Sequence, residues 1–145
     1  MAGRATDYWW LRAHRVPRSR RLARLLWGPR TAGMLDLLTP TTPTWNGHNT
    51  SMWRDDLFRV NGFDERMEWG GLDRELGERL ENDGIRGKQI RHRAIVVHLD
   101  HPRGYKKHDA MARNREIRDE TAQQRLTRTP AGLDRHLTTT GAPPK

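Results

Sequence analysis

No cysteine occurs in the 145 residues. That excludes a disulfide framework and a thiolate zinc site, and it fits a reducing compartment. No apolar run approaches the roughly 20 residues a helix needs to cross a bilayer. The opening Met1-Ala2-Gly3-Arg4 leads into charged residues and tryptophans, not into a signal-peptide core. The expected location is therefore the cytoplasm, with peripheral membrane contact left open. Hydrophobic residues are scarce, 34% against 31% charged, so the chain makes one domain at most, with a small core for its length. Acidic residues are also in deficit: 27 Lys and Arg against 18 Asp and Glu leave a net charge of +9. Such a balance favours anionic partners: nucleic acid, acidic lipid or a sugar nucleotide diphosphate. Phenylalanine and tyrosine number two each, against six tryptophans. Tryptophan offers a flat face for sugars or bases, and it equally serves as an ordinary core or interface anchor.

What is present divides into segments. Residues 7–38 read as helical and basic, with Leu22, Leu25 and Leu26 at helical spacing among Arg18, Arg20, Arg21 and Arg24. Gly28-Pro29 interrupts that pattern, and Met34, Leu35, Leu37 and Leu38 follow as an apolar cluster. Such a helix either lies on an anionic membrane surface or packs by its leucines on the rest of the fold. Thr39–Thr44 is a connector. Asn49–Phe58 is expected to be a strand running into a short helical turn, with Asp55 or Asp56 in that first turn. Val60-Asn61-Gly62-Phe63-Asp64 is expected to be a turn with one buried aromatic. Leu72–Asp83 has the best helical pattern, with Leu72, Leu76 and Leu80 on one stripe. Glu75 and Arg79 are spaced there as an i,i+4 pair, and Gly84 follows as a C-terminal cap. Ile85–Leu99 is expected to form one or two strands. The division expected is a basic helical segment at 1–38, a central segment at 39–105, a peripheral polar helix at 106–128 and a disordered tail at 129–145.

Three clusters carry candidate chemistry. In Trp69-Gly70-Gly71-Leu72-Asp73, two glycines let a ligand approach the backbone, and a helix start aims free N–H groups at the same spot. Trp69 suits stacking on a pyranose. Asp73, in the first helical turn, is either a general base for a hydroxyl or a plain N-terminal capping carboxylate. In His98-Leu99-Asp100-His101, residues three apart on a regular strand face opposite sides, so a single histidine serves a metal better than the pair. The alternative is a hydrogen-bonded histidine at a strand end. The basic run Arg86, Lys88, Arg91, His92 and Arg93 either binds phosphates or is the solvated face of an edge strand.

In this order the motifs resemble the C-terminal half of a family 2 glycosyltransferase, of the type whose acceptor segment is shared with the β-1,4-galactosyltransferases. The resemblance covers about residues 45–105. It is carried by Gly47-His48-Asn49-Thr50-Ser51-Met52-Trp53-Arg54-Asp55-Asp56, then Val60–Glu65, then Trp69-Gly70-Gly71-Leu72-Asp73 with Arg79-Leu80, then Val96-Val97-His98. It implies an α/β fold class, here an α+β fragment forming the C-terminal portion of a GT-A fold. It also implies a nucleotide-sugar donor, a saccharide or other hydroxyl acceptor, transfer with inversion, and a divalent metal, usually Mn²⁺. By the same resemblance Asp73 matches the catalytic base, and Trp69, Gly70 and Gly71 match acceptor contacts. Asn49, Arg54 and Asp56 match further substrate-binding positions. His98 matches a metal ligand, with His101 as the fallback.

The chain departs from that pattern twice. Leu72 stands where the commoner motif has glutamate, which leaves Asp73 as the one acidic group for the base role. No Asp-x-Asp occurs in the chain, and no βαβ pattern precedes residue 39. The N-terminal nucleotide-binding half is therefore expected to be lacking, as in a truncated product, one half of a split gene, or a fragment of a longer enzyme. The chain alone is expected to be weakly active or inactive, and a separate N-terminal half becomes a candidate partner. The contrasting reading is a basic nucleic-acid- or anion-binding module without catalysis. No helix-turn-helix, zinc-finger or RNP-like motif favours nucleic acid.

Overall fold

The computed structural model describes residues 7–16, 22–96 and 108–137. Its elements are α1 (Tyr8–Ala13), a 3-10 turn (Leu22–Leu26), α2 (Pro29–Leu38), α3 (Arg54–Arg59), α4 (Leu72–Asn82), α5 (His108–Gln123) and α6 (Asp134–Leu137). Contacts group into two compact units. Unit 1 comprises residues 1–43 and 88–101, and unit 2 comprises 44–87 and 102–145. Among the described residues no helix is long and apolar enough to cross a membrane.

In unit 1 the expected basic helix is three short pieces. Asp7 caps α1 by accepting the Trp10 N–H at 2.9 Å. Arg15 then takes a left-handed φ of 63°, which ends the helix. Pro29 restarts it at the first position of α2, where its missing N–H costs nothing. The apolar cluster on α2 does not pack as a block. Ala32 is buried, whereas Met34, Leu37 and Leu38 are exposed, Leu37 at 85%. The inward face of α2 is held instead by the Asp36 carboxylate, which accepts His92 N–H and Arg93 Nε–H, each at 2.9 Å.

Unit 2 has its apolar centre at Val60, Leu76 and Leu80, with Trp45, Met52, Leu57 and Ile85 packed around it. Of the expected stripe of α4, Leu76 and Leu80 belong to that centre, whereas Leu72 in the first turn is only half-buried and lies outside it. Trp45 crosses α4 at Gly77, where an added Cβ would lie 2.6 Å from the Trp45 Cβ. The helix ends as expected. Gly84, at φ 85°, donates to the Glu81 carbonyl, and Ile85 donates to Leu80 at 2.9 Å, which is a Schellman arrangement.

A polar knot completes unit 2. Arg79 and Glu75 form the expected i,i+4 pair at 2.7 Å, but both side chains are buried, Arg79 at 0% exposure. Arg79 also donates to the Val60 carbonyl and, at 2.7 Å, to the Gly62 carbonyl. Thr121 of α5 donates to Glu75 at 3.0 Å. One ion pair therefore joins α4, the 60–62 turn and α5. With every partner present the buried charges are satisfied; losing one partner would leave a buried charge uncompensated.

Several elements differ from expectation. Among the described residues there is no β-strand: 49–53 and 85–90 carry no regular structure, and the chain turns at 91–93. Helices α4 and α5 pack on each other, and no neighbouring strand within the described residues supplies a ladder partner. Phe63 is not the buried aromatic of its turn. It is 41% exposed, while Val60, Asn61 and Asp64 are buried. The 108–123 helix buries Asn114, Ile117 and Thr121, so it is more than peripheral. Residues 129–137, expected as tail, clasp the 60–64 turn. Asn61 donates to the Thr129 carbonyl at 2.9 Å, its side-chain oxygen accepts the Asp134 N–H at 2.9 Å, and Thr129 Oγ1 donates to Asp64 at 2.8 Å.

Candidate active site

The candidate site is the loop Trp69-Gly70-Gly71 and the first turn of α4. Gly70 and Gly71 take φ of 108° and 86°, and Gly71 is the N-cap in left-handed geometry. Only glycine adopts both positions without strain. Asp73 sits in the first turn, half-buried. One of its oxygens accepts the Gly47 N–H at 2.8 Å and the other accepts the Arg74 N–H at 3.0 Å. A carboxylate offers about four acceptor positions, so two backbone amides fix its orientation and leave capacity for a hydroxyl. Trp69 stands at the rim, 39% exposed.

Helix α5 holds this loop. Asn114, 2% exposed, donates to the carbonyls of Glu68, Trp69 and Gly70 at 3.1, 3.3 and 2.7 Å and accepts the Glu68 N–H at 3.3 Å. Arg118 passes Gly71 so closely that a Cβ there would lie 3.3 Å from its Cδ. Its side-chain bond to Glu78 raises its pKa, and the charges of Glu78, Asp119 and Asp73 add to the effect. A held cation thus lies in the field of Asp73. Sequence reasoning missed Gly47, Asn114 and Arg118. Asn114 and Arg118 act by contacts 40 or more residues away in the chain, which leave no periodic mark. Gly47 acts through its backbone N–H, 26 residues from Asp73, which no side-chain pattern marks.

The remaining expected residues separate. Asn49 donates its backbone N–H to Asn46 at 3.0 Å, in the loop that carries Gly47. Arg54 lies 4.9 Å over the Phe58 ring. Asp56 accepts from Arg59 at 2.7 Å, and Arg59 also lies 3.3 Å from Asp83. Asp83 is the C-cap of α4. At about 1.5 Å of rise per residue, the ten residues from Asp73 to Asp83 span about 15 Å, so Asp56 belongs to the far end of α4 from Asp73. His98 and His101 lie outside the described residues. Among the described residues no group of three or more His, Asp or Glu is placed to hold a metal ion.

Asp64 explains why the neighbouring motif is structural. Burial pushes its pKa up, but bonds from the Arg66 side chain and backbone and from the Thr129 hydroxyl outweigh that and leave it lowered. Arg66 contacts both oxygens, at 2.7 Å from Nη2 and 3.0 Å from Nε. The Val-Asn-Gly-Phe-Asp turn therefore faces inward, into its own hydrogen bonds, while the Trp-Gly-Gly loop and Asp73 face outward.

No curated protein and no solved structure matches the chain. Residues 40–102 match the family model described as the N-terminal domain of galactosyltransferase, a stretch that includes Gly47, the 60–64 turn and the whole Trp69–Asp73 rim. The similarity to a galactosyltransferase-like glycosyltransferase is one of that segment, which makes up under half of the chain.

Proposed function

We propose that this chain serves sugar transfer from a nucleotide-sugar donor to a hydroxyl of a saccharide acceptor, with inversion, and that Asp73 is the base. The observation that carries the reading is the Asp73 carboxylate, pinned by the Gly47 and Arg74 amides beside an open, aromatic-edged glycine loop. The galactosyltransferase match over 40–102 supports the same reading. The acceptor pyranose lies against Trp69, with Gly70 and Gly71 letting its hydroxyl reach the helix start. Asp73 takes the hydroxyl proton as the oxygen attacks the anomeric carbon. The bond from that carbon to the diphosphate breaks, and the nucleoside diphosphate leaves. Fixed positioning of base and hydroxyl supplies much of the rate. A GT-A arrangement of the family 2 type belongs to this proposal, as does a Mn²⁺ ion with His98 as ligand. When bound, such an ion neutralises charge on the leaving diphosphate.

The test is transfer from a panel of labelled nucleotide sugars to pyranoside acceptors, with Mn²⁺ and with a chelator. The reading expects slow or no turnover by this chain alone, and any turnover present disappears in Asp73→Asn. Unchanged turnover in Asp73→Asn removes Asp73 from the base role. Rapid Mn²⁺-dependent transfer by the purified chain contradicts the expected weak activity.

A further inference from the structure

Unit 1 contains a cleft of about 380 Å³ lined by Arg24, Trp27, Pro29, Ala32, His92 and Arg93, together with Leu25 and Ile95. None of these residues belongs to the Trp69–Asp73 rim. The volume falls within the roughly 300–1,000 Å³ of small-molecule sites. Its chemistry is two-sided. Trp27 and His92 place their rings 5.6 Å apart, tilted by 41°, so the flat surface is the indole face and the imidazole lies at an angle beside it. Arg24 and Arg93 add two guanidinium groups from different segments.

The polar side is built rather than incidental. Asp36, buried behind the cleft, has one oxygen 2.9 Å from His92 Nδ1, and its other oxygen accepts Arg93 Nε–H at 2.9 Å. Asp36 therefore orients both side chains. With Nδ1–H given to Asp36, His92 keeps Nε2 for a ligand. Arg93 uses Nε on Asp36 and keeps its terminal nitrogens. Pro29, at the start of α2, also lines the cleft, and the first turn of α2 has no acidic residue and no side-chain cap. Two arginines against one buried carboxylate leave net positive charge. Planar guanidinium forks match phosphate oxygens in a way that a lone ammonium does not. Of the basic run Arg86–Arg93, the structure thus sets His92 and Arg93 apart as cleft residues.

We infer that the unit 1 cleft binds a small phosphate monoester with a flat body, the phosphate taken by Arg24 and Arg93 and the flat portion laid against Trp27. This assignment is independent of the sugar-transfer reading, because it uses neither the rim nor Asp73.

The experiment is calorimetric titration of the full chain with phenyl phosphate, benzoate and phenol. Phenyl phosphate is expected to bind saturably at one site, with benzoate weaker and phenol silent. Arg24→Met is the informative variant, since no described residue pairs with the Arg24 guanidinium and its removal leaves the Asp36 contacts in place. It is expected to weaken phenyl phosphate by about tenfold or more, with an unchanged melting temperature, while Arg24→Lys retains part of the affinity. An equal affinity for benzoate overturns the phosphate assignment. Absence of saturable binding, or unchanged affinity in Arg24→Met, overturns the site.

Discussion

Two glycine-containing motifs lie within a dozen residues of each other, and the structure uses them in opposite ways. The 60–64 turn is closed. Asn61 and Asp64 are buried, Arg79 donates into its carbonyls, and residues 129–134 cover it. The 69–73 loop is open. Its tryptophan is at the surface, and its carboxylate is oriented by two backbone amides. The difference teaches where function can sit. A group whose bonds are all used inside the fold keeps the fold. A group that is oriented but not saturated is available to a substrate.

The comparison is broken most severely at Arg79. Arg79→Met leaves Glu75 buried without its partner and is expected to cost about 3–5 kcal/mol, read by urea denaturation. A loss below about 1 kcal/mol would show that the knot is not what holds the turn. Next comes Gly132, which backs onto the turn so tightly that an added Cβ would lie 1.9 Å from the Asn61 carbonyl oxygen. Gly132→Ala is expected to cost about 1–3 kcal/mol through forced backbone shifts, measured the same way.

On the open side, Asn114→Ala removes the bonds to three loop carbonyls. A loss of about 1–2 kcal/mol is expected, with faster amide exchange concentrated at 68–71. Uniform exchange across unit 2 would contradict a local role.

The pH dependence sharpens the same contrast. The folded pKa of Asp64 lies below its ordinary 3.8, as does that of Asp36. A depressed carboxylate stabilises the fold fully above its unfolded value. That contribution is lost as pH falls below about 3.8 toward the folded value. Asp64→Asn should therefore lower stability at neutral pH and flatten the acid limb of the stability curve. An unaltered limb would contradict the assignment. The smallest expected effect on stability is at the rim, where Asp73→Asn gives up part of a Gly47 contact and costs under about 1 kcal/mol.

The elements legible in the sequence were those with local causes. Helix α4, the inward Leu76 and Leu80, the i,i+4 pair and the Gly84 cap follow from spacing within a dozen residues. The placement of Asp73 in a first helical turn follows from the glycines before it. What was not legible depends on distant partners. Asn114 reads as one more polar residue on a polar helix until the carbonyls it serves are known. Thr129 and Ala131 sit in a stretch whose composition suggests a tail, yet both are buried against the 60–65 turn. Phe63 was expected inside because it is the large apolar residue of its turn, but Asn61 and Asp64 occupy the interior through hydrogen bonds. The β-branched run near residue 95 suggested a strand, and a strand needs a neighbour that the described residues do not supply. His98 and His101 lie outside the described residues.

The central claim is that the Trp69–Asp73 rim receives a saccharide. The most direct measurement is a titration of the ¹⁵N-labelled chain with a panel of pyranosides, followed by amide chemical shifts. The account predicts saturable shifts at Gly47, Trp69, Gly70, Gly71 and Asp73 for at least one sugar, abolished in Trp69→Ala without loss of fold. Shifts that fall on other residues, or a rim that responds to none of the sugars, would contradict it.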